Sequence, residues 1–369
     1  MRIACFNVEN LFDRAKAMNL DSWAEGKPIL EAFAELNKLL GEINYTAARK
    51  QRMVQLMGKL GLAKADTAKF VMLRQNRGKL VRRSKSSGLE IVANGRADWA
   101  GSLELRGAPI DEVAMRNTAR VMVELQADVL AVVETESRPV LQAFNEQVVK
   151  AMGGTPFQHV MVIDGNDERG IDVGFLSKQG LPIAMMRSHV DDVGTDAKPV
   201  FSRDCPEFHL EVGGRPLVLL VNHLKSKGFG SPASSNARRK AQAARIKEIY
   251  QGLRQQGLDR IAVLGDFNDT PHSEPLSPLL GQTDLKDISA HAKFDDGGYP
   301  GTYGLCSAGN KIDYILLSPA LFEKVTAGGV MRKGLWPGVQ PKRWEVFDEL
   351  KREIHAASDH AALWVDLDL

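Results

Sequence analysis

The sequence contains little cysteine and no long apolar run. Its three cysteines, Cys5, Cys205 and Cys306, stand far apart along the chain. This spacing excludes a disulfide framework and a CxxC metal knuckle and favours a reducing compartment, so we expect the chain in the cytoplasm. No stretch approaches the roughly 18 consecutive apolar residues that a membrane helix needs. Residues 1–8 predict a β-strand with no apolar region behind it, so no membrane segment is expected.

A strong net charge is also missing. Forty-eight Lys and Arg residues stand against 46 Asp and Glu residues, which leaves +2 and no global field that would attract nucleic acid. Hydrophobic residues make up 44% and charged residues 25% of the chain, which excludes disordered and collagen-like classes. The 369 residues exceed what one hydrophobic core usually organises, so the length predicts one large domain with an appendage.

Short apolar runs that end abruptly in polar residues predict a strand-rich protein. These runs are 3–8, 129–133, 173–176, 217–221, 261–264, 312–317 and 363–365. Two stretches typical of helices, 111–125 and 236–253, lie between them. Because strands and helices alternate, the sequence predicts a mixed α/β class.

Residues 14–110 form a stretch of different character. Its first part has apolar residues at helical spacing over 29–40 and 45–62. Its second part, 64–96, carries nine basic residues against two acidic ones, Asp66 and Glu90. The basic residues are Lys64, Lys69, Arg74, Arg77, Lys79, Arg82, Arg83, Lys85 and Arg96. Such a run is either a solvated arm or a surface for a phosphate backbone, and both interpretations stay open. The candidate substrate-binding residues are Arg74, Arg77, Arg82 and Arg83.

Polar residues that can carry chemistry follow the predicted strands. Four strands end in carboxylate, amide or imidazole side chains, and similar residues lie inside or just before two later strands. They are Asn7 and Glu9, Glu134, Asn222 and His223, Asp266 and Asn268, Asp313, and Asp359 with His360. One such ending is common, since a strand that leaves the core must become polar somewhere. Four endings are better explained by a shared pocket at one edge of a sheet.

The residue types in this set favour metal-assisted hydrolysis. Carboxylate and amide oxygens suit Mg²⁺, Mn²⁺ or Ca²⁺, and the lack of nearby thiolates and of an HExxH spacing argues against zinc. His223 and His360 can transfer protons near neutral pH. The sequence has no motif for a nucleophilic Ser or Cys. Together these features predict direct attack of an activated water on a phosphorus centre.

Seven sequence blocks resemble, in order, the signature blocks of the endonuclease/exonuclease/phosphatase superfamily, which includes deoxyribonuclease I. The blocks are FNVENLFD (6–13), DVLAVVETE (128–136), RGIDVGFLSK (169–178), VNHLKSKG (221–228), LGDFNDTP (264–271), KIDYILLSP (311–319) and SDHAAL (358–363). The resemblance is strongest to bacterial nuclease-like members. It implies a catalytic domain formed by 1–13 and 111–369, with 14–110 as a largely helical, basic insertion. It also implies a four-layer α/β sandwich, in which two mixed β-sheets pack face to face with helices outside.

The resemblance also implies a metal site. Glu134 would be the main carboxylate ligand of Mg²⁺ or Mn²⁺, with Asn7 and Asp359 beside it. Four further residues would support these ligands or bind phosphate. They are Glu9, Arg169, Asn222 and Lys225.

Further roles follow for the remaining motif residues. Asp266 would orient and deprotonate the attacking water, and Asn268 would hold a phosphate oxygen. His360, positioned by Asp313, would stabilise the charge that develops on the phosphate, and His223 would protonate the leaving oxygen. The sequence gives no clear carboxylate partner for His223. The candidates for that partner are Asp167, Glu168 and Asp172.

Three functions are compatible with these residues. The first is a Mg²⁺- or Mn²⁺-dependent endonuclease or exonuclease on DNA, or on RNA, because the basic stretch favours a polymeric substrate. The second is a phosphodiesterase or phosphatase on a lipid head group or a small phosphoester, since the same catalytic set serves both. The third, a nucleic-acid-binding module without activity, is disfavoured because every expected catalytic position is filled. We therefore expect a nucleic acid partner, first of all DNA, and no membrane.

Overall fold

The computed structural model describes residues 1–9, 15–18, 23–107, 111–167, 169–195, 197–228, 231–339 and 342–369. The chain divides into two compact units. The large unit comprises Met1–Phe12 and Ile110–Leu369, and the small unit comprises Asp13–Pro109. Each unit has a hydrophobic core of its own.

Seventeen strands and seven α-helices form the described part of the chain. The strands are β1 (Arg2–Asn7), β2 (Val71–Arg77), β3 (Val81–Ser84), β4 (Gly88–Ile91), β5 (Ala100–Leu105), β6 (Val129–Thr135), β7 (His159–Ile163), β8 (Asp172–Ser177), β9 (Ile183–Arg187), β10 (Glu207–Val212), β11 (Arg215–His223), β12 (Ile261–Asp266), β13 (Lys286–Asp287), β14 (Phe294–Asp295), β15 (Asp313–Leu317), β16 (Val325–Met331) and β17 (Ala362–Leu367). The helices are α1 (Trp23–Leu40), α2 (Ala47–Lys59), α3 (Glu112–Leu125), α4 (Arg138–Ala143), α5 (Pro232–Gln255), α6 (Ser277–Leu280) and α7 (Pro319–Phe322). Within the described residues, none of these helices combines the length and the apolar composition that a membrane crossing requires.

Two mixed sheets form the large unit. The first sheet has the strand order β14-β16-β17-β1-β6-β8-β7, and the second has the order β13-β15-β12-β11-β10-β9. The central pairs β1–β6 and β11–β12 are parallel, and most of the other neighbours are antiparallel. Strands that run parallel end at the same edge of a sheet, so the ends of β1 and β6 lie together, as do those of β11 and β12.

Alternating side chains build the layers of the large unit. Ile3 and Cys5 on β1 belong to the core between the two sheets, where Phe175 of β8 stacks on Phe208 of β10 with ring centroids 4.4 Å apart. Phe6 faces the opposite side, where α3 and α4 cover the first sheet. Helices α5 and α6 cover the outer face of the second sheet. This arrangement of helix, sheet, sheet and helix confirms the predicted α/β sandwich.

The predicted elements of the large unit are present with small changes of their ends. All seven predicted strands occur, as β1, β6, β8, β11, β12, β15 and β17. The two predicted helices occur as α3 and α5, and α3 begins after Asp111, whose side chain accepts hydrogen bonds from the backbone N–H groups of Val113 and Ala114. The sequence did not predict β7, β9, β10 and β16.

The small unit has helices followed by β-hairpins. Helices α1 and α2 confirm the predicted helical part, and they pack with Val71, Leu73 and Trp99 in one core. The basic part forms two antiparallel pairs, β2 with β5 and β3 with β4. The description of this unit as largely helical therefore holds for its first half only. In the second half Val71 and Leu73 alternate with more exposed residues, which is the pattern of a half-buried strand.

Candidate active site

Three chemically active side chains lie in one row across the second sheet. In the strand register His223, the last residue of β11, is paired with Asp266, the last residue of β12. Asp266 is paired in turn with Asp313, the first residue of β15. Residues that pair across neighbouring strands point to the same face of a sheet, so these three side chains form a continuous polar row. All three are almost fully buried.

Asp266 is the centre of the site, and it joins the two sheets. Its Oδ2 atom lies 3.3 Å from Nδ2 of Asn7 at the end of β1, and 3.1 Å from Nδ2 of Asn268. The same oxygen lies 3.6 Å from Nε2 of His223. Burial, followed by the nearby charge of Asp313, raises the pKa of Asp266 to about 7. A carboxylate with a raised pKa is suited to accept a proton from a bound water near neutral pH.

His360 is held by a carboxylate on its inner nitrogen. Nδ1 of His360 lies 2.8 Å from Oδ2 of Asp313, which also accepts a 2.6 Å hydrogen bond from Thr302. Burial lowers the pKa of His360, but the charge and hydrogen bond of Asp313 outweigh it, and the pKa is raised well above its usual value. Asp313 therefore favours the cationic form of His360, whose Nε2 atom lies 4.0 Å from Asp266 and 3.8 Å from Asp359.

The backbone is strained at three site residues. Glu9, Glu134 and Asn268 have φ values of 51°, 67° and 55°, in the left-handed region that residues other than glycine seldom adopt. Glu134 also lies at a shift of register between β6 and β8, which is a β-bulge that turns its side chain out of the regular alternation. Asn adopts this region more readily than other residues, but for Glu9 and Glu134 it costs of order 1–3 kcal/mol each and persists where the surrounding structure imposes it, which is typical of functional sites.

Gly265 allows Asp266 to approach β11 closely. It has a φ of +138°, and a Cβ atom on it would lie 1.9 Å from the carbonyl oxygen of Asn222. A side chain at this position would therefore push β12 away from β11. The amide of Asn222 donates a 3.0 Å hydrogen bond to the carbonyl of Leu220. In the alternation of β11, Asn222 lies on the face opposite to that of His223.

Glu9 links the end of β1 to the segment before β17. Its backbone N–H donates to Oδ1 of Asn7 at 3.0 Å, and its own Oε2 accepts a 3.0 Å bond from the backbone N–H of Asp359. These two bonds fix the orientation of the Asn7 amide and the backbone that carries Asp359. Glu9 thus connects two of the predicted metal ligands.

His223 lies between two carboxylates but has no orienting partner of the predicted kind. Its Nε2 atom is 3.6 Å from Oε1 of Glu134 and 3.6 Å from Asp266, and its Nδ1 has no hydrogen-bond partner among the described residues. Burial, followed by the charges of Arg203 and Arg169, lowers the pKa of His223 well below its usual value. These surroundings favour the neutral imidazole, and the acid role that the resemblance implies for His223 stays a prediction.

The three candidates for the partner of His223 have other contacts or lie outside the described residues. Asp167 pairs with Arg169 at 2.6 Å and with Arg203 at 2.9 Å. Asp172 accepts a 2.8 Å bond from the backbone N–H of Gly165. Glu168 lies outside the described residues.

Several residues beside the site were missed by sequence reasoning. Thr302, Tyr303 and Arg203 all lie in irregular segments, outside the strand endings that marked the other positions. Tyr303 packs against His360 with ring centroids 4.9 Å apart, and it is 38% exposed. The aromatic residue after Thr302 and the pair Arg203-Asp204 stand in the sequence without any regular spacing that would have drawn attention to them.

The donor set fits a hard divalent cation. The ligand atoms of Asp266, Asp313 and His360 lie within 4.8 Å of one another, although Asp313 and His360 are already bonded to each other. Glu134 and Asp359 add two carboxylates that are only partly buried. Buried carboxylates without a counter-ion repel each other, and a cation would relieve this repulsion. Oxygen donors of this kind suit Mg²⁺ or Mn²⁺.

A buried polar cluster anchors the segment that carries Arg203. Asp204 accepts a 2.8 Å hydrogen bond from the backbone N–H of His189. The His189 ring lies between Asp192 and Glu207, with 2.8 Å from a ring nitrogen to each carboxylate. The cluster therefore ties the start of β10 to the irregular segment before it.

This cluster should make stability depend on pH. Burial raises the pKa of Glu207, but hydrogen bonds from His189 and His209 outweigh it and lower the pKa to about 2. The ionised Glu207 therefore adds to the free energy of unfolding above its ordinary pKa of 4.5, and this stabilisation is lost as the pH falls towards 2. Burial lowers the pKa of His189, but hydrogen bonding to Glu207 outweighs it and raises the pKa above 6.5. The stabilisation that protonated His189 gives to the fold is therefore lost as the pH rises through this raised pKa.

We therefore expect Glu207→Gln to lower the free energy of unfolding by about 2 kcal/mol near pH 5.5, and by less at pH 3 and pH 9. Urea unfolding at these three pH values measures the effect. Glu211→Gln, an exposed position on the same strand, is the matched control and should have little effect. A loss that is equal at all three pH values would contradict the coupling to His189.

The chain is similar to a known protein family and to several solved structures. The sequence profile of the Endonuclease/Exonuclease/phosphatase family matches residues 105–360. No curated protein matches the chain. Among solved structures, a mannosyl-6-phosphatase from Bacteroides thetaiotaomicron is similar with a TM-score of 0.50 and 16% identity, over 70% of this chain and 92% of that chain.

Two further solved structures are similar at the level of the fold. The human Nocturnin catalytic domain with bound sulfate anion has a TM-score of 0.48 and 17% identity, over 70% of this chain and 88% of that chain. Truncated TDP2 from Caenorhabditis elegans has a TM-score of 0.47 and 16% identity, over 69% of this chain and 90% of that chain. The family profile covers more than half of the chain and includes the strands that carry Glu134, His223, Asp266 and Asp313, as well as His360. The chain belongs to the endonuclease/exonuclease/phosphatase family.

Proposed function

We propose that this protein is a divalent-metal-dependent nuclease that hydrolyses phosphodiester bonds of DNA by direct attack of an activated water. The observation that carries the proposal is the surroundings of Asp266. One oxygen of this buried carboxylate contacts two amides and an imidazole, and the cationic His360 lies 4.0 Å away. A base, donors for phosphate oxygens and a fixed positive charge thus lie within the space of one phosphate group.

Each residue has a distinct task in this proposal. Glu134, Asn7 and Asp359 hold the metal, which would be Mg²⁺ or Mn²⁺. When bound, the metal neutralises phosphate charge and polarises the phosphorus–oxygen bonds. Asp266 orients the water and accepts its proton. We assign Asn268, whose amide now donates to Asp266 and to the carbonyl of Leu224, to a phosphate oxygen, which would replace one of these two acceptors.

The two histidines act in different protonation states. His360 is kept cationic by Asp313 and stabilises the negative charge that grows on the phosphate in the transition state. The surroundings of His223 favour its neutral form, and its Nε2 atom lies 3.6 Å from both Glu134 and Asp266, so we give it a positioning role between these carboxylates in place of an acid role.

Hydrolysis of nucleic acid tests the proposal directly. We expect plasmid DNA and labelled oligonucleotides to be cleaved with Mg²⁺ or Mn²⁺ and to stay intact with chelator. The ends of the products separate endonuclease from exonuclease action, and an RNA substrate of the same sequence measures the preference for DNA. Intact DNA in the presence of either metal would overturn the proposal.

A second candidate is a phosphatase or phosphodiesterase on a small phosphoester or a lipid head group. The similar fold of the mannosyl-6-phosphatase favours it, because that protein takes a sugar phosphate. A panel of sugar phosphates, glycerophosphodiesters and oligonucleotides at equal concentration separates the two candidates. Turnover of the small esters alone would establish the second candidate.

We propose a polymeric substrate because of the basic second half of the small unit, residues 64–96. Three of its four candidate arginines have carboxylate partners at 2.7 to 2.8 Å. The pairs are Arg74 with Glu104, Arg82 with Glu90, and Arg83 with Asp66. Arg83 also donates to the carbonyls of Leu62 and Ala65, so it holds the local fold. By contrast, Arg77, Lys79 and Lys85 are exposed and form no ion pair with a described residue.

We expect the triple change Arg77→Gln, Lys79→Gln and Lys85→Gln to weaken the binding of DNA. Each lost phosphate contact should flatten the dependence of log affinity on log salt by about 0.9 on duplex and about 0.7 on single strands. Fluorescence anisotropy between about 50 and 200 mM salt measures the slope.

A matched triple variant in the same unit provides the control. Arg49, Lys50 and Arg52 on helix α2 are engaged by Glu42, Asn94 and Glu35. Changing these three residues to Gln removes the same charge but should leave the slope closer to that of the wild type. Equal slopes for the two triple variants would show that only net charge affects DNA binding. The β-hairpins would then have no specific part in binding DNA.

Tyr303 offers a stacking surface at the rim of the site. Its ring packs against His360, and Leu305, two residues further on, is 42% exposed. Aromatic side chains stack on nucleobases and contribute about 1–3 kcal/mol per base, so Tyr303→Ala should raise KM for oligonucleotides about five- to hundredfold. Tyr303→Phe is the control and should keep KM, because it keeps the ring. The same KM increase for a substrate that lacks bases would contradict stacking.

The three cysteines bear on the location of the protein. Cys5, Cys205 and Cys306 are all buried and free. Burial raises the pKa of each thiol, which keeps it protonated and unreactive. A reducing compartment such as the cytoplasm suits such residues, and we include this location in the proposal.

A further inference from the structure

Two arginine side chains lie side by side near the site and share one carboxylate. Asp167 accepts from Nη2 of Arg169 at 2.6 Å and from Nε of Arg169 at 2.9 Å. Nε of Arg203 lies 2.9 Å from Oδ2 of the same carboxylate. Arg203 is 2% exposed, and the side chain of Arg169 is 14% exposed. Two guanidinium groups are thus held in fixed positions, and one of them reaches the surface.

The loop that carries Asp167 and Arg169 is fixed against the backbone of Arg203. A Cβ atom on Gly165 would lie 2.7 Å from Cα of Arg203, so only glycine permits this approach. The backbone N–H of Gly165 donates to Asp172 at 2.8 Å, and that of Asn166 donates to the carbonyl of Arg203 at 3.3 Å. The arginine pair is therefore arranged in advance of any ligand.

A single carbonyl connects the arginine pair to the catalytic residues. The carbonyl oxygen of Leu224 accepts a 3.3 Å bond from Nη1 of Arg203 and a 3.2 Å bond from Nδ2 of Asn268. Asn268 is also bonded to Asp266. The guanidinium of Arg203 thus lies one shared hydrogen-bond acceptor away from the amide that we assign to the reacting phosphate.

Positive charge is crowded at this place. Burial lowers the pKa of Lys225 to about 8, and the charges of Arg203 and Arg169 contribute to the shift. Burial also lowers the pKa of Arg203, the charge of Asp167 opposes this shift, and Arg169 adds to it. Two arginines thus lie against one carboxylate with Lys225 nearby, and such a set beside a catalytic site favours the binding of an anion.

The reacting phosphate does not account for this charge, because Asn268, His360 and the metal ligands already serve it. Guanidinium groups bind phosphate through charge-assisted hydrogen bonds, and Asp167 fixes the positions of both arginines for such contacts. We propose that Arg169, Arg203 and Lys225 form a second phosphate subsite, which binds the phosphate group next to the one that is hydrolysed. The inference rests on the proposed phosphodiesterase function and gives it a preference for substrates with two neighbouring phosphates.

Three dinucleotides with one scissile bond test the subsite. One has hydroxyl groups at both ends, one carries a 5′-phosphate, and one carries a 3′-phosphate. With Mn²⁺ and wild-type protein, we expect one of the phosphorylated forms to have a KM at least about tenfold below that of the unphosphorylated form. In Arg169→Gln this ratio of KM values should fall to near one. Arg215→Gln, which breaks an exposed pair with Asp259 on the same unit, is the control and should keep the wild-type ratio.

Binding without turnover separates this inference from the proposed function. If neither the dinucleotides nor plasmid DNA is hydrolysed, the proposed function fails, and calorimetric titration of the same three dinucleotides in chelator then decides on the subsite. Tighter binding of one phosphorylated form to wild type, lost in Arg169→Gln, supports it. Equal KM or Kd values for all three compounds in wild type, or a ratio that persists in Arg169→Gln, would overturn it.

Discussion

Replacing Glu134 with Gln should abolish hydrolysis and metal binding together. Glu134 is one of the two partly exposed carboxylates of the site, and its backbone is held at a φ of 67° by the β-bulge in β6. The amide keeps the shape of the side chain but removes the negative charge that a divalent cation requires. Without the metal, the phosphate charge is not neutralised, so turnover should fall by about a thousandfold or more.

Calorimetric titration with Mn²⁺, together with hydrolysis of bis-para-nitrophenyl phosphate, measures both effects on the same preparation. Glu146→Gln, at an exposed position of the same unit, is the matched control and should behave as wild type. Because Gln keeps the size of the Glu134 side chain, which is partly exposed, the urea midpoint should stay nearly unchanged. Normal Mn²⁺ affinity in Glu134→Gln would show that the metal is held by other residues.

The sequence predicts the central strands because their side chains are buried on both faces. Continuous apolar runs such as 129–133 and 261–264 are unambiguous, and the polar residues that end them mark one edge of each sheet. The edge strand β9 gives no such signal, since four of its five residues are exposed and two of these are Met185 and Met186. Its position is determined by pairing with β10 and not by its own residue pattern.

In the candidate site, too, the sequence predicts residues on regular strands but not residues in irregular segments. Asn7, His223 and Asp266 could be found because each ends a strand. The register pairs His223 with Asp266, and the packing of the two sheets brings Asn7 to Asp266. Thr302 and Arg203 come from irregular segments, where no period relates a residue to its neighbours in space. The contact of Arg203 with Leu224 depends on tertiary packing over 21 positions of the chain.

The number of charged residues in a stretch does not show which of them are paired in the fold. The sequence gives the number of basic residues in 64–96 but not their partners, so Arg83 and Arg77 look equivalent. In the fold Arg83 is bound to Asp66 and to backbone carbonyls, whereas Arg77 is exposed at the end of β2. The strain at Glu134 was equally invisible, because Glu carries none of the preference for positive φ that Gly or Asn would show.

Asp266→Asn should abolish turnover while the metal still binds. Asn is isosteric with Asp, but its amide group places a donor opposite Nδ2 of Asn7 and Nδ2 of Asn268, which both donate towards the present carboxylate. The variant cannot accept a proton from water, so turnover should fall by about a hundred- to ten-thousandfold. Glu134, Asn7 and Asp359 are unchanged, so Mn²⁺ titration should give an affinity within about tenfold of wild type. Residual turnover near the wild-type rate would show that another group is the base.

The same substitution should affect stability in a pH-dependent way. The pKa of Asp266 is raised from 3.8 to about 7 by burial and by the charge of Asp313. The folded state therefore binds this proton more tightly than the unfolded state, so the stabilising contribution is present below pH 3.8 and is lost as the pH rises through 7. In the metal-free protein we expect Asp266→Asn to be more stable than wild type by about 1–2 kcal/mol at pH 8, with a smaller difference at pH 5. Urea unfolding in chelator at both pH values measures it. A variant that is less stable than wild type at pH 8 would mean that the hydrogen bonds of the carboxylate outweigh the cost of burying its charge.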